Sequence, residues 1–133
     1  MAKKVLVAGL SAECRETVVY EKCAISVGSG DREVYATPAM IALVEKTAVK
    51  ALEEVLEESL TTVGTLLNVK HLSATPIGME VKAKCTLTEV DNKRLVFNVE
   101  VCDEAGAVGE GIHERFIVDK ERFMAKAKSK FEK

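Results

Sequence analysis

Thr37-Pro38-Ala39-Met40-Ile41-Ala42-Leu43-Val44-Glu45-Lys46-Thr47-Ala48-Val49-Lys50-Ala51-Leu52-Glu53-Glu54-Val55-Leu56-Glu57 is the stretch whose reading decides the fold. Ile41, Val44, Ala48, Leu52 and Val55 recur three or four residues apart, the spacing of one buried helix face. Thr37 reads as an N-cap, and Pro38 suits the first helical position because its missing N–H would have no partner there. The helix is expected to run from Pro38 to somewhere near Glu58. Glu45 falls inside the apolar stripe, roughly 40° from Ile41 and about 20° from Leu52, whereas Lys46, Lys50, Glu53, Glu54 and Glu57 fall on the other side. A carboxylate facing a core costs several kcal/mol unless it is paired, hydrogen-bonded or protonated, so Glu45 is expected to have a partner and a task.

The next segment, Thr61 to Ser73, reads as a strand with Val63, Thr65, Leu67, Val69 and His71 on one face. His71 is thereby placed on a face that the helix would cover, which makes it a candidate partner for Glu45. Either residue alone is more often structural than functional. The two together favour a site.

Three further strand candidates follow. Thr75-Pro76-Ile77-Gly78 turns the chain into Glu80 to Val90, where Val81, Ala83, Cys85 and Leu87 alternate with Lys82, Lys84, Thr86 and Thr88. Asp91-Asn92 suits a hairpin turn, after which Leu95, Phe97, Val99 and Val101 form an inner face. Asp103-Glu104-Ala105-Gly106 then leads into Val108 to Val118, and Asp119 caps a short terminal helix. Arg15 to Lys22 is an expected first strand, and Val27 to Asp31 an expected loop. One strand, one long helix and an antiparallel meander make an α+β fold with the helix laid on one face of the sheet.

With 133 residues, 47% of them hydrophobic and 30% charged, the chain is of a size and composition to form one globular domain over residues 1–133. No apolar run approaches the roughly 20 residues of a membrane helix. The start, Met-Ala-Lys-Lys followed by Val5 to Leu10, is broken by Gly9 and followed by Glu13 and Arg15, and is read as cytoplasmic rather than as a signal peptide. A net charge of −2 and the want of an aromatic stacking platform give no case for nucleic acid. The basic tail, Lys120, Lys126, Lys128, Lys130 and Lys133, reads as a solvated helix face. Gln is absent while Lys and Glu are abundant, a drift seen in hyperthermophiles. Cys14, Cys23, Cys85 and Cys102 form no C-x-x-C pair, Cys85 and Cys102 are placed on apolar strand faces, and neither His71 nor His113 has a closely spaced cysteine. Reduced thiols and no metal site are expected.

Several segments in this order carry a resemblance: Ala36-Thr37-Pro38-Ala39-Met40, Met40 to Val49 with Glu45, Thr62-Val63-Gly64-Thr65, His71-Leu72-Ser73-Ala74-Thr75-Pro76, and Gly109-Glu110-Gly111-Ile112-His113-Glu114-Arg115. Together they resemble the fluoroacetyl-CoA thioesterase-like family, over about Val27 to Phe123. The resemblance implies the hotdog fold, a curved antiparallel sheet wrapped around a long central helix, and hydrolysis of a short-chain acyl-CoA to free acid and CoA. It implies Thr37, Glu45 and His71 as catalytic residues and Gly64 and Arg115 as substrate- or CoA-binding residues. CoA is then part of the substrate, and no cofactor is implied. A substrate held between two subunits, usual for hotdog proteins, implies a homodimer or higher oligomer; Leu43, apolar on the otherwise polar helix side, agrees. Lys70, Lys82, Lys84 and Arg94 are further candidates for the CoA phosphates.

Each residue also has a plainer reading: Thr37 as an N-cap, Gly64 as a bulge or close backbone approach, Arg115 as a solvated strand residue. Thioester cleavage needs a polarised carbonyl, an oxygen nucleophile and preset oxyanion donors. The helix N-terminus from Thr37 to Met40 and the backbone at Gly64 offer donors, Glu45 is a nucleophile or a base for water, and His71 is a proton shuttle or an oxyanion donor. The loop Ser26 to Tyr35, expected to cover the acyl group, holds no Phe or Trp, so a short acyl group other than fluoroacetyl is expected. Two alternatives stay open: a non-catalytic hotdog protein binding acyl-CoA or another small ligand, and a structural dimer in which Glu45 and His71 only fix packing.

Overall fold

A computed structural model describes residues 5–132. Met1 to Lys4, part of the start read against a signal peptide, and Lys133 of the basic tail lie outside them. Five strands, β1 (Ser11–Thr17), β2 (Leu60–His71), β3 (Glu80–Asp91), β4 (Arg94–Asp103) and β5 (Gly106–Asp119), form one antiparallel sheet in the order β1-β3-β4-β5-β2. The long helix α2 (Thr37–Leu52) packs on one face, chiefly against β1 and β3 and with its other flank toward β2. A short helix α1 (Ala24–Val27) precedes it, and α3 (Lys120–Lys128) follows the sheet and runs into a 3₁₀ turn (Ser129–Glu132).

The alternating strands behave as their pattern demands. Val81, Ala83, Cys85 and Leu87 of β3 and Leu95, Phe97, Val99 and Val101 of β4 are all buried, forming with α2 the apolar layer that drives the two elements together. The hairpin between β3 and β4 places Asn92 at φ 57°, a conformation that asparagine tolerates better than most residues. Asp119 caps α3 by accepting from the Arg122 N–H at 3.0 Å. The α+β architecture is thus the one the sequence implies.

Local departures have physical causes. β1 spans Ser11–Thr17, not Arg15 to Lys22, because the chain turns at Val18 and Val19. Val18 is buried and its N–H donates to Met79, and Tyr20–Lys22 then forms a single 3₁₀ turn. Val18 and Val19 prolong the β-branched run that Thr17 begins, but the ladder with β3 ends at the Thr17–Glu80 pair, so their strand propensity is not used. The expected loop from Val27 to Asp31 begins at the last residue of α1 and is otherwise irregular. The long helix ends at Leu52 rather than near Glu58, although Val55 still packs against the core.

The buried arc of α2 comprises Met40, Leu43, Val44, Thr47, Ala48, Ala51 and Leu52. It is rotated by about 50° from the expected stripe, because Leu43 and Thr47 turn inward. Leu43 is 3% exposed and belongs to the core, so it gives no support to a subunit interface; Val49, at 43%, is the large hydrophobic residue this helix exposes. Glu45 falls at the margin of the arc instead of within it. Cys85 is buried but Cys102, beyond a register shift at Val101, is only half-buried; all four cysteines are free.

Candidate active site

The N-cap of α2 is Ala36, with no side-chain capping bond, and Thr37 is the first helical residue. Its hydroxyl is therefore not spent on the helix. Thr37 Oγ1 lies 2.8 Å from His71 Nδ1 at the far end of β2. His71 Nε2 is buried and has no hydrogen-bond partner among the described residues. Burial pushes the His71 pKa down, only partly opposed by the Ser73 backbone, so the ring is neutral at physiological pH and can accept a proton. A cleft of about 350 Å³ opens beside the pair, with Ala24, Val34, Leu72 and Ala74 among its walls. Tyr35 also lines it, but the Tyr35 hydroxyl donates to Glu16 and sits 3.3 Å from the Ala39 carbonyl. That aromatic ring is buried and anchored rather than free to close over the cleft.

The second cluster lies two helical turns further along α2. Arg115 Nη1 donates to Glu45 Oε2 at 3.2 Å. Arg115 is only 5% exposed, and Thr62 holds it from the other side: Nε donates to the Thr62 hydroxyl at 2.8 Å and Nη2 to the Thr62 carbonyl at 3.0 Å. The Glu45 side chain keeps 41% of its surface exposed, so the carboxylate is held by a buried cation while facing outward. Gly64 sits directly beneath it. A Cβ at that position would come within 2.6 Å of Glu45 Oε2 and 3.3 Å of both Arg115 Nη1 and His113 Cε1. Beyond Gly64 the β2–β5 register shifts, so both plainer readings of this glycine, bulge and close approach, describe real features.

Glu45 was expected to pair with His71, and within one chain it does not: its partner is Arg115, while His71 bonds Thr37. The reason is geometric. Thr37 and Glu45 are eight residues apart on one helix, about 12 Å along its axis. Arg115 is buried and fully engaged rather than a solvated strand residue. Arg94 is tied to Glu114 at 2.8 Å and Glu89 at 2.9 Å, and Lys82 lies 3.6 Å from Glu13, so neither is an uncommitted cation.

His113, set aside in the sequence as a histidine without metal partners, is fully buried in the second cluster. A signal for it does exist. Along Ile112-His113-Glu114-Arg115-Phe116 the usual pattern is inverted: Ile112 and Phe116 are exposed at 43% and 41%, while His113 and Arg115 point inward.

The family model for FlK, the fluoroacetyl-CoA-specific thioesterase, matches residues 18–121. The chain belongs to the FlK family. It is 37% identical over 98 residues to the fluoroacetyl-CoA thioesterase of Streptantibioticus cattleyicolor, covering 74% of this chain and 70% of that protein. Its fold superposes on the structure of FlK with a TM-score of 0.89 at 29% identity, covering 96% of this chain and 98% of the other. A thioesterase superfamily member from Thermus thermophilus matches with a TM-score of 0.86 at 26% identity, over 96% of each chain. The helix-wrapping sheet is therefore the hotdog fold of the FlK family and its thioesterase relatives, as the motifs implied. No helix among the described residues is long and apolar enough to cross a membrane.

Proposed function

We propose that this FlK-family thioesterase cleaves a short-chain acyl-CoA to free acid and CoA, and that its working unit is a homodimer with two shared sites. The observation that carries the reading is the pairing of Thr37 with His71 at 2.8 Å in a chain that also presents a half-exposed Glu45 held by a buried arginine. Activity in the FlK family is thioester hydrolysis. About 12 Å of helix separates the two clusters, too far for one thioester carbonyl to touch both. A second subunit across the β2 edge would bring its own Glu45 to the Thr37–His71 pair. Leu66, Leu67 and Leu72 on or next to that edge strand, with Ile112 and Phe116 on its neighbour, are exposed at 37% or more and support a covered edge.

In that arrangement the acyl group occupies the cleft beside His71, and the carbonyl oxygen lies against the first-turn N–H groups of α2, whose dipole favours the developing oxyanion. Glu45 of the second subunit supplies the attacking oxygen or activates a water. Neutral His71, bonded to Thr37, accepts or relays the proton that ends on the CoA thiolate. Arg115 keeps the Glu45 carboxylate aimed outward. The cleft lacks Phe and Trp and holds no aromatic ring free to close over the acyl group, which supports an acyl group other than fluoroacetyl.

Free-thiol release from acyl-CoAs of graded chain length, with a fluoroacetyl member, tests the reading together with sedimentation. A dimer with greatest turnover on a short, non-fluorinated acyl group is expected. A strict monomer at micromolar concentration with full activity would refute the shared site, and a strong fluoroacetyl preference would refute the acyl assignment.

A further inference from the structure

A buried hydrogen-bond chain stands behind Glu45. His113 is fully buried and stacks on Phe97, with ring centroids 6.4 Å apart and planes at 29°. Its Nδ1 lies 2.9 Å from the Leu66 carbonyl. A carbonyl can only accept, so Nδ1 carries the hydrogen. Its Nε2 lies 3.1 Å from Arg115 Nη1, and a guanidinium can only donate, so Nε2 is bare. The two partners together admit one state of the ring: neutral, protonated on Nδ1. Burial, and after it the Arg115 charge, push the His113 pKa down against the opposing pull of the Leu66 carbonyl and Glu45, which agrees with a neutral ring.

The Nη1 atom that donates to His113 is the one that donates to Glu45. Its two hydrogens are thus divided between the histidine behind and the carboxylate in front, while Nε and Nη2 are pinned by Thr62. The Leu66 carbonyl meets the ring just past the register shift between Gly64 and Leu66, the local change that re-aims a strand's groups.

We infer that His113 is a positioning residue for thioester hydrolysis, acting as a neutral acceptor that fixes the Arg115 guanidinium so that its Nη1 edge presents to the Glu45 carboxylate. This rests on the reading of Glu45 as the catalytic carboxylate. Without an acceptor at Nε2, one Nη1 hydrogen is unsatisfied in a buried setting, and the guanidinium relaxes away from the geometry that holds Glu45.

The test compares His113→Gln, His113→Asn and His113→Leu in the full chain, with Glu45→Gln alongside. A glutamine amide reaches the place of Nε2 and can accept from Arg115; an asparagine amide reaches only the place of Nδ1 and preserves the Leu66 bond alone. The kcat of the Asn and Leu variants is expected to fall by up to about 100-fold with KM changed less than about threefold, and the Gln variant to recover most of the loss. Asn rescuing better than Gln, or wild-type kcat in all three, would overturn the inference and leave His113 a packing residue. The nitrogen-15 spectrum of the wild-type ring adds an observation independent of turnover: an Nδ1–H neutral tautomer is expected, and an Nε2–H tautomer or an imidazolium at neutral pH would refute it. If Glu45→Gln itself keeps full turnover, the catalytic reading of Glu45 fails, whatever tautomer the spectrum shows.

Discussion

Gly64→Ala separates the chemistry of this site from its stability. The added Cβ would stand 2.6 Å from Glu45 Oε2, against an ordinary contact of 3.4 Å or more, so the carboxylate must withdraw by about 0.8 Å. Gly64 is not among the glycines with positive φ, so alanine meets no backbone penalty there. The atom that must yield is the end of a flexible side chain that keeps 41% of its surface in solvent, and swinging it outward is cheap. Arg115 Nη1 and His113 Cε1, each 3.3 Å from the new Cβ, need give only a few tenths of an ångström. We therefore expect a stability loss below about 1 kcal/mol, typical of a mild overpacking relieved at a surface. Catalysis is less tolerant. A displacement approaching 1 Å of a reacting group costs on the order of 100-fold in rate, about 2.7 kcal/mol of barrier. Initial-rate thiol release and thermal unfolding on the same preparation measure both quantities. Wild-type kcat in Gly64→Ala would refute the placement of Glu45 in the reaction. A large drop in the unfolding temperature would refute the claim that the strain is released at the carboxylate.

Arg115→Lys keeps the charge but loses the fork that grips Thr62 and touches both Glu45 and His113; about 2–3 kcal/mol of stability and most of the turnover are expected to go, measured by urea unfolding and thiol release. Stability also depends on pH through the two histidines, whose folded pKa values are both pushed below the ordinary 6.5. Between those lowered values and 6.5 the unfolded chain binds protons that the folded chain refuses, so their contribution is full above pH 6.5 and is lost as pH falls through the folded values. Unfolding midpoints taken from pH 7.5 to pH 5 are expected to fall, and to fall less in His113→Gln; a flat profile would contradict the buried neutral rings. Asp119→Ala removes the cap that accepts from Arg122 and is expected to cost about 1 kcal/mol or less, with fraying of α3 visible by circular dichroism and turnover unchanged.

The parts of this fold written in short-range periodicity were legible. Val81 to Leu87 and Leu95 to Val101 alternate because each strand buries one face, and the burial follows residue by residue. Glu45 was conspicuous because a helix pattern has a phase and a carboxylate intruded on it, even though the true arc is rotated and leaves it at the margin. Its partner was not legible. Arg115 is 70 residues away, and no local pattern ties an arginine on the last strand to a glutamate on the helix; only the sheet order, with β5 between β4 and β2, brings them together. The bulge at Gly64 to Leu66 shifts the strand phase, so the face assigned to His71 by simple alternation could not be carried back to Glu45. The N-cap shifted to Ala36, and that one-residue difference frees the Thr37 hydroxyl for His71. His113 has no metal-ligand spacing to mark it, and its one signal is the inverted pattern of β5, where the histidine and Arg115 take the inward phase and Ile112 and Phe116 the outward one.

The most direct measurement is thiol release from a graded acyl-CoA panel by the wild-type protein and by Glu45→Gln, with folding and oligomeric state confirmed for both. Turnover of a short acyl-CoA by the wild type is expected, with loss of most of it, on the order of 100-fold or more, in a Glu45→Gln protein that stays folded and dimeric. Equal turnover by both proteins, or no release from any acyl-CoA by a well-folded wild type, would contradict this expectation.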